Sequence, residues 1–484
     1  MITLLSGLSL LATPALARPT ENGMFRFDST DVVTYLDSAD GTARVWYSTE
    51  GPNVVKAGDA DADGLPDFAE LVAVYTADVL ITYEDFGFRP IPNDAGAGGS
   101  DAMDVYLVDF AGNSDGNYSP ERCTDNVCTG FFVMENDFQG YGYSNVDSAV
   151  STLTSHELFH AQQAAYNNGQ DAWYAEGTAV WAEQLYDPYS EDFRYFCEAY
   201  LDDTGRSLNI PPSGVLPAFA YGTALWWKFL TLRYGDAWMI DYLEATGDGE
   251  DLLIALDART TLSTDFVDFA AWNLATGGLS GGLAGDPGLD GYSFASDIGP
   301  PKFEERDPSL DDDNRFYPLA ATYYKLEWEG GPLQFALEAD SPDVVFQLWA
   351  TNADGAVSEQ VAEPESVAGL VELGDFEAGD YYFIGVNPTL AEDSTKVRFC
   401  LGADASACAP ETAGDSADTG GSGQDKGHGG CGCASAPESA NAAIGLAMGI
   451  VAVTRRQGRA DRVWRAASGS SPKVLQRARH LLRR

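Results

Sequence analysis

Histidine is scarce in this chain: four occur in 484 residues. Basic residues are few as well, with 28 Lys and Arg against 74 Asp and Glu, a net charge of −46. Ten of the 28 follow Thr454, so residues 1–454 hold 18 basic and 73 acidic side chains. A field of that sign repels nucleic acid and anionic lipid, and no nucleic-acid partner is expected. It suits a soluble extracellular protein that holds divalent cations. The seven cysteines contain no Cys-x-x-Cys pair, which argues against a cysteine-based zinc site.

What is present begins with hydrophobic residues at 45% and aromatics at 12%, enough for a packed interior. At roughly 100–200 residues per domain, the length implies two or three domains. Residues 1–17 read as a signal peptide: an apolar run from Ile2 to Leu11, then Ala15-Leu16-Ala17 as a small-x-small cleavage pattern before Arg18. Export makes disulfides available. The spacings of Cys123 with Cys128 and of Cys400 with Cys408 suit two local loops, which leaves Cys197 a buried free thiol.

Residues 18–95 form an N-terminal segment with short strands, among them Phe25–Asp28 and Val45–Tyr47, and a helix over Phe68–Tyr83. Between them lies Asp59-Ala60-Asp61-Ala62-Asp63-Gly64-Leu65-Pro66-Asp67-Phe68-Ala69-Glu70. Asp59, Asp61, Asp63, Asp67 and Glu70 fall at positions 1, 3, 5, 9 and 12 of an EF-hand-like loop. Gly64 makes the sharp turn and Leu65 supplies its carbonyl, so the loop reads as a structural Ca2+ site. Residues 96–290 follow as a catalytic domain, with strands near Asp104–Asp109 and Gly130–Glu135. Its expected helices cover Ser148–Tyr166, Asp171–Tyr186, Tyr221–Arg233, Asp236–Thr246 and Asp265–Thr276. The Gly-rich stretch Gly277–Pro301 reads as a boundary. Residues 310–402 carry evenly spaced strands, at Tyr323–Trp328, Leu333–Glu338, Val344–Trp349, Val367–Leu373, Tyr381–Val386 and Lys396–Leu401, as in a β-sandwich. The fold class is therefore α+β. Residues 403–430 are a flexible linker. Residues 431–456 join Cys431-Gly432-Cys433, an apolar run too short to favour spanning a membrane, and Arg455-Arg456: the shape of a sorting or anchoring signal. Residues 457–484 are a basic tail.

The chemistry rests on His156-Glu157-Leu158-Phe159-His160. Residues i and i+4 share a helix face, so both imidazoles can grip one Zn2+ while Glu157 reaches its water as general base. The other histidines, His428 and His480, lie in the linker and the tail. The third ligand is therefore a carboxylate. Glu176, in Trp173-Tyr174-Ala175-Glu176-Gly177-Thr178-Ala179, is the best candidate. Glu183, two turns further on, could share its face, and Asp171 reads as a helix cap.

His-Glu-x-x-His followed by Glu-Gly-x-Ala resembles the gluzincin metallopeptidases, whose third zinc ligand is that helical Glu. The resemblance implies a thermolysin- or aminopeptidase-like core over roughly residues 100–250. It implies an edge strand before the zinc helix that binds substrate backbone, here Gly130–Glu135. It also implies Tyr221 as the donor to the developing oxyanion, since no histidine remains for that task. The calcium loop, the zinc motif and the C-terminal signal together resemble secreted myxobacterial metallopeptidases. That likeness implies processing near Cys431 by a sorting machinery and release from, or attachment to, the cell surface. The expected function is zinc-dependent hydrolysis of protein or peptide substrates. The alternatives are a calcium-stabilised surface binding protein with a vestigial zinc site, and a zinc hydrolase of cell-wall amides.

Overall fold

A computed structural model describes residues 17–21, 23–213, 217–283, 291–304 and 310–410. The signal peptide, most of the linker, the C-terminal signal and the basic tail lie outside the described residues. The architecture is mixed α+β. The strands β1 (Val33–Asp37), β2 (Ala43–Ser48), β3 (Met103–Val108), β4 (Gly116–Thr124) and β5 (Val127–Glu135) form one sheet in the order β1-β2-β3-β5-β4. β2, β3 and β5 run parallel, whereas β1 and β4 are antiparallel to their neighbours. β4 leads into β5 through a hairpin whose tip is clasped by the Cys123–Cys128 disulfide. The second pair, Cys400–Cys408, is also bonded, and Cys197 is free and buried.

Gly130–Glu135 therefore lies inside the sheet, flanked by β3 and β4, and is not its edge. The edge is β4, which the sequence hides. Its residues Asn117, Ser119, Pro120, Glu121 and Arg122 are polar or helix-breaking, and such residues are tolerated only where one side of a strand lacks a partner. Phe25–Asp28 is not a strand. Its two phenylalanines instead lie against a cluster of Tyr106, Val108, Phe110, Phe131 and Val133 on one face of the sheet.

α1 (Asp67–Phe86) and α2 (Val146–Ala164) cover the other face, and α3 (Ala172–Tyr186) packs on α2. α2 begins at Asn145, whose side chain accepts from the Ser148 N–H, and nearly every residue from Ala149 to Ala164 is buried. Asp171 stands at the N-cap of α3 but makes no capping hydrogen bond. α4 (Glu191–Leu201), capped by Ser190, was not anticipated, although Phe193, Phe196, Cys197, Tyr200 and Leu201 have helical spacing and are all buried. The helix expected over Tyr221–Arg233 is broken at Thr223 into α5 (Ala218–Gly222) and α6 (Ala224–Tyr234). The Thr223 hydroxyl serves the backbone carbonyls of Trp173 and Ala220. α7 (Ala237–Gly247), α8 (Leu252–Arg259) and α9 (Leu262–Leu274) complete the helical layer. Among the described residues no helix is long and apolar enough to cross a membrane.

The C-terminal part holds two more sheets. One joins β11 (Val357–Ala362), β10 (Val345–Thr351), β13 (Gly379–Asn387), β8 (Ala320–Trp328) and β6 (Phe303–Glu304); the other joins β12 (Gly369–Phe376), β9 (Gly331–Leu337), β14 (Thr395–Gly402) and β7 (Leu310–Phe316). Alternating residues of both sheets, including Tyr324, Leu326, Phe335, Phe346, Phe383 and Phe399, share one buried cluster. Tyr323, Tyr382, Ile384 and Val386 point the other way and join the core of the helical part, and the Tyr323 hydroxyl donates to the Ala270 carbonyl at 2.9 Å. Tyr292, Phe294 and Ile298, within the Gly-rich stretch read as a boundary, are buried in that same core.

One charged residue is placed where charge is costly. Arg18 is about 1% exposed and ion-paired to Asp94 at 2.5 Å, to Glu121 at 2.6 Å and to Asp104. It fastens the start of the described chain to β3, β4 and the loop before β3. A guanidinium so deep is tolerable only because its donors meet carboxylates.

Candidate metal centre

α2 and α3 bring His156, His160 and Glu176 together, all buried. The two Nε2 atoms are 3.1 Å apart, and Glu176 Oε2 lies 3.3 Å from that of His156 and 3.5 Å from that of His160. Ligand nitrogens in a tetrahedral zinc shell, each about 2.0–2.1 Å from the metal, are separated by about 3.3 Å. The triangle has the right size.

The outer faces of both rings are fixed. His156 Nδ1 is 2.8 Å from Glu183 Oε1, and Glu183 in turn accepts from the Ser190 hydroxyl at 3.0 Å. An ionised carboxylate only accepts, so His156 donates from Nδ1. His160 Nδ1 lies 2.9 Å from Gln163 Oε1, and the Gln163 amide donates to the Ala175 carbonyl and the Thr178 hydroxyl, both at 2.7 Å. With its N–H groups committed there, Gln163 must present its oxygen to His160. Both neutral rings then carry the proton on Nδ1 and turn bare Nε2 lone pairs toward each other and toward a carboxylate. Three acceptors facing one point repel unless a proton or a metal ion lies among them, and two imidazoles with a carboxylate are a set that could hold a metal. Burial alone would make both imidazoles less basic, but the hydrogen bonds and charges of Glu176 and Glu183 reverse that for His156, and Glu176 does so for His160. Burial would raise the Glu176 carboxyl, but the two imidazoles hold it far below the usual range. Glu183, weighed as a third ligand, lies instead on the far side of His156.

Gly177, next to Glu176, explains how α3 can come so close. A Cβ there would collide with the Thr223 hydroxyl and meet Trp227 Nε1 at 2.8 Å. The break between α5 and α6 and the glycine beside the ligand are thus one packing solution. Just before the break, Tyr221 stacks on the His156 ring at 5.9 Å between centroids and on Phe196 at 4.7 Å. Its phenol is held well above its ordinary value by burial, by the charges of Glu176, Glu157 and Asp115, and by a hydrogen bond to Glu176.

Glu157 is about 5% exposed, and its Oε2 is buried without a hydrogen-bond partner. Burial pushes its carboxyl up to about 7 against the pull of both imidazoles. Its other oxygen faces Gly116, the first residue of the edge strand, where an added Cβ would stand 2.8 Å from Oε1. The site thus combines three convergent donor atoms, a buried carboxyl pushed upward by its burial and a strand edge. Sequence reasoning missed the parts of Gln163 and Gly116. Gln163, one turn after His160, was findable from helix spacing; Gly116 carries no local signal.

The acidic loop brings together Asp59, Asp61 and Asp63, all exposed. Asp59 accepts from the N–H groups of Asp63 and Gly64, and Asp63 from that of Leu65. Asp67 is turned back onto the N–H of Ala60. The Glu70 carboxyl is raised by partial burial and by the charges of Asp63, Asp61, Asp67 and Asp59, but only Asp59, Asp61 and Asp63 of the expected ligands come together.

Against known proteins, no family model matches this chain and no curated protein matches it.

Proposed function

We propose that the protein is a zinc-dependent peptidase of the gluzincin type, exported from the cell, with His156, His160 and Glu176 holding the metal. The observation that carries this reading is a preformed triangle of ligand atoms beside a buried carboxyl with an unpartnered oxygen. A structural metal site needs no such neighbour. A divalent ion on these ligands supplies Lewis acidity and makes water a nucleophile near neutral pH. Glu157 takes the proton from the attacking water and returns it to the leaving amine, a shuttle suited to a group that titrates near 7. Tyr221 donates its hydroxyl to the oxyanion formed from the scissile carbonyl. The substrate backbone pairs with the edge of β4, which begins beside Glu157, rather than with β5.

The five-stranded sheet under α1–α3 fits a gluzincin core, and the two C-terminal sheets around one shared cluster fit a β-sandwich. Two disulfides support export. The Asp59–Glu70 loop is read as a calcium site that steadies the start of α1. Metal analysis together with casein cleavage tests the proposal. One zinc per chain, cleavage abolished by chelation and restored by zinc, and no cleavage by Glu157→Gln are expected. A zinc-loaded wild type that cleaves neither casein nor a peptide library, whether it binds peptides or digests peptidoglycan instead, ends the peptidase reading.

A further inference from the structure

One carboxylate beside the site has no part in the hydrolysis described above. Asp115 immediately precedes Gly116, the residue whose Cα faces Glu157 Oε1. It accepts a hydrogen bond from the Tyr143 hydroxyl at 2.7 Å, and that hydroxyl also lies 3.4 Å from Asp192. A phenol donates a hydrogen bond to Asp115 but brings no charge to offset the carboxylate. Among the described residues no Lys or Arg forms an ion pair with Asp115, Glu157, Glu176 or Glu183. The charge of Asp115 is felt by Glu157, Glu183 and Tyr221 alike, so it lies near all three. A divalent ion balances Glu176 and Glu157, and Glu183 is held by His156. Asp115 is left over, half-buried, at the start of the strand edge along which a peptide would lie, one residue before the glycine that Glu157 Oε1 faces.

We propose that Asp115, steadied by Tyr143, is a subsite for a cationic group of the substrate, an ammonium or guanidinium adjoining the scissile bond. The inference rests on the peptidase reading and names its substrate class. Such a cation replaces water around Asp115 and neutralises a carboxylate that otherwise repels the acidic groups near it; a neutral or acidic residue there leaves it uncompensated. The group can be a free α-amino terminus or a Lys or Arg side chain.

The test uses the zinc-loaded full chain and paired peptides: Lys against norleucine at each position flanking the bond, and free against acetylated N-termini. The wild type should favour the cationic member by tenfold or more in kcat/KM, and Asp115→Asn should bring that ratio close to one. If the preference follows the free terminus, the cation is the α-amine; if it follows lysine inside an acetylated peptide, it is the side chain. A wild type with no preference, or with a preference for the neutral member, overturns the inference without help from any variant, as does an Asp115→Asn ratio equal to that of the wild type. Equilibrium binding of the same pairs to Glu157→Gln separates this from the peptidase reading. A tenfold advantage for the cationic peptide there, with no cleavage by the wild type, would sink the peptidase reading and keep the subsite. Equal binding of the pairs would sink the subsite.

Discussion

Two clusters among the described residues could hold a metal, and they are built on opposite principles. His156, His160 and Glu176 are buried, and the ring nitrogens pointing away from the cluster are already engaged by Glu183 and Gln163. Asp59, Asp61 and Asp63 are exposed, and their oxygens are taken up by N–H groups of their own loop. The buried triad bears the cost of desolvation whether or not an ion is present, so every unpaired acceptor in it calls for a cation. The exposed loop bears almost none: water and its own backbone satisfy it, and an ion adds stability without being required. The first arrangement suits the chemistry proposed for it, the second a structural role.

The hardest blow to the comparison comes at Glu157. If the buried cluster is built for a reaction, Glu157→Gln should lower kcat by ~10²–10⁴ while the protein still binds one zinc. A variant that loses its zinc instead would move Glu157 among the ligands and dissolve the distinction between holding the ion and using it. Tyr221→Phe comes next: removing one donor to the oxyanion should cost ~10²–10³ in kcat, with KM little changed, since the ring still stacks between His156 and Phe196. Kinetics on one fast peptide decides it, and a purely packing role predicts near wild-type kcat. Glu183→Gln sharpens the claim that outer partners preform the triad. Gln can still accept from His156 Nδ1, but the charge that makes the imidazole a better ligand is gone. Zinc affinity should fall by ~10–100-fold, read by competition with a chelator, and an unchanged affinity would mean that the ring is held by packing alone.

Much of the buried cluster was legible in the sequence because its signals are local and the histidines few. Helical spacing places His156 and His160 on one face, and the absence of another nearby histidine leaves a carboxylate for the third corner. The limits of α2 and α3 were read to within a few residues for the same reason: apolar periodicity survives burial. What was not legible depends on tertiary packing. β4 is polar and contains Pro120, so nothing in its pattern says strand; only pairing with Val127–Glu135 makes it one. The break at Thr223 is invisible in an unbroken apolar run, because it is set by the backbone of Trp173 fifty residues earlier. Whether Glu183 is a ligand or a ligand's support depends on which ring nitrogen it meets, and spacing along α3 does not specify that. The two local disulfides, by contrast, followed from cysteine spacing alone.

The smallest effect should come from the exposed loop, where the comparison is most easily turned around. Asp59, Asp61, Asp63 and Glu70 repel one another, as the raised Glu70 carboxyl records. A calcium ion among them removes that repulsion and fixes the turn from which α1 starts, and α1 contributes Phe68, Val72, Tyr75, Val79 and Tyr83 to the main core. An ion that binds only the folded loop stabilises the protein by about 2.7 kcal/mol at a hundredfold excess over its dissociation constant. Thermal unfolding with and without calcium should therefore show a modest increment, absent in Asp61→Ala, with the zinc content unchanged in both. Without calcium the variant should be at least as stable as the wild type, because one of the mutually repelling carboxylates is gone. A wild type indifferent to calcium would leave the loop a self-satisfied turn. An unfolded calcium-free protein would overturn the comparison more deeply, because the exposed cluster would then be as indispensable to the fold as the buried one is proposed to be to the chemistry.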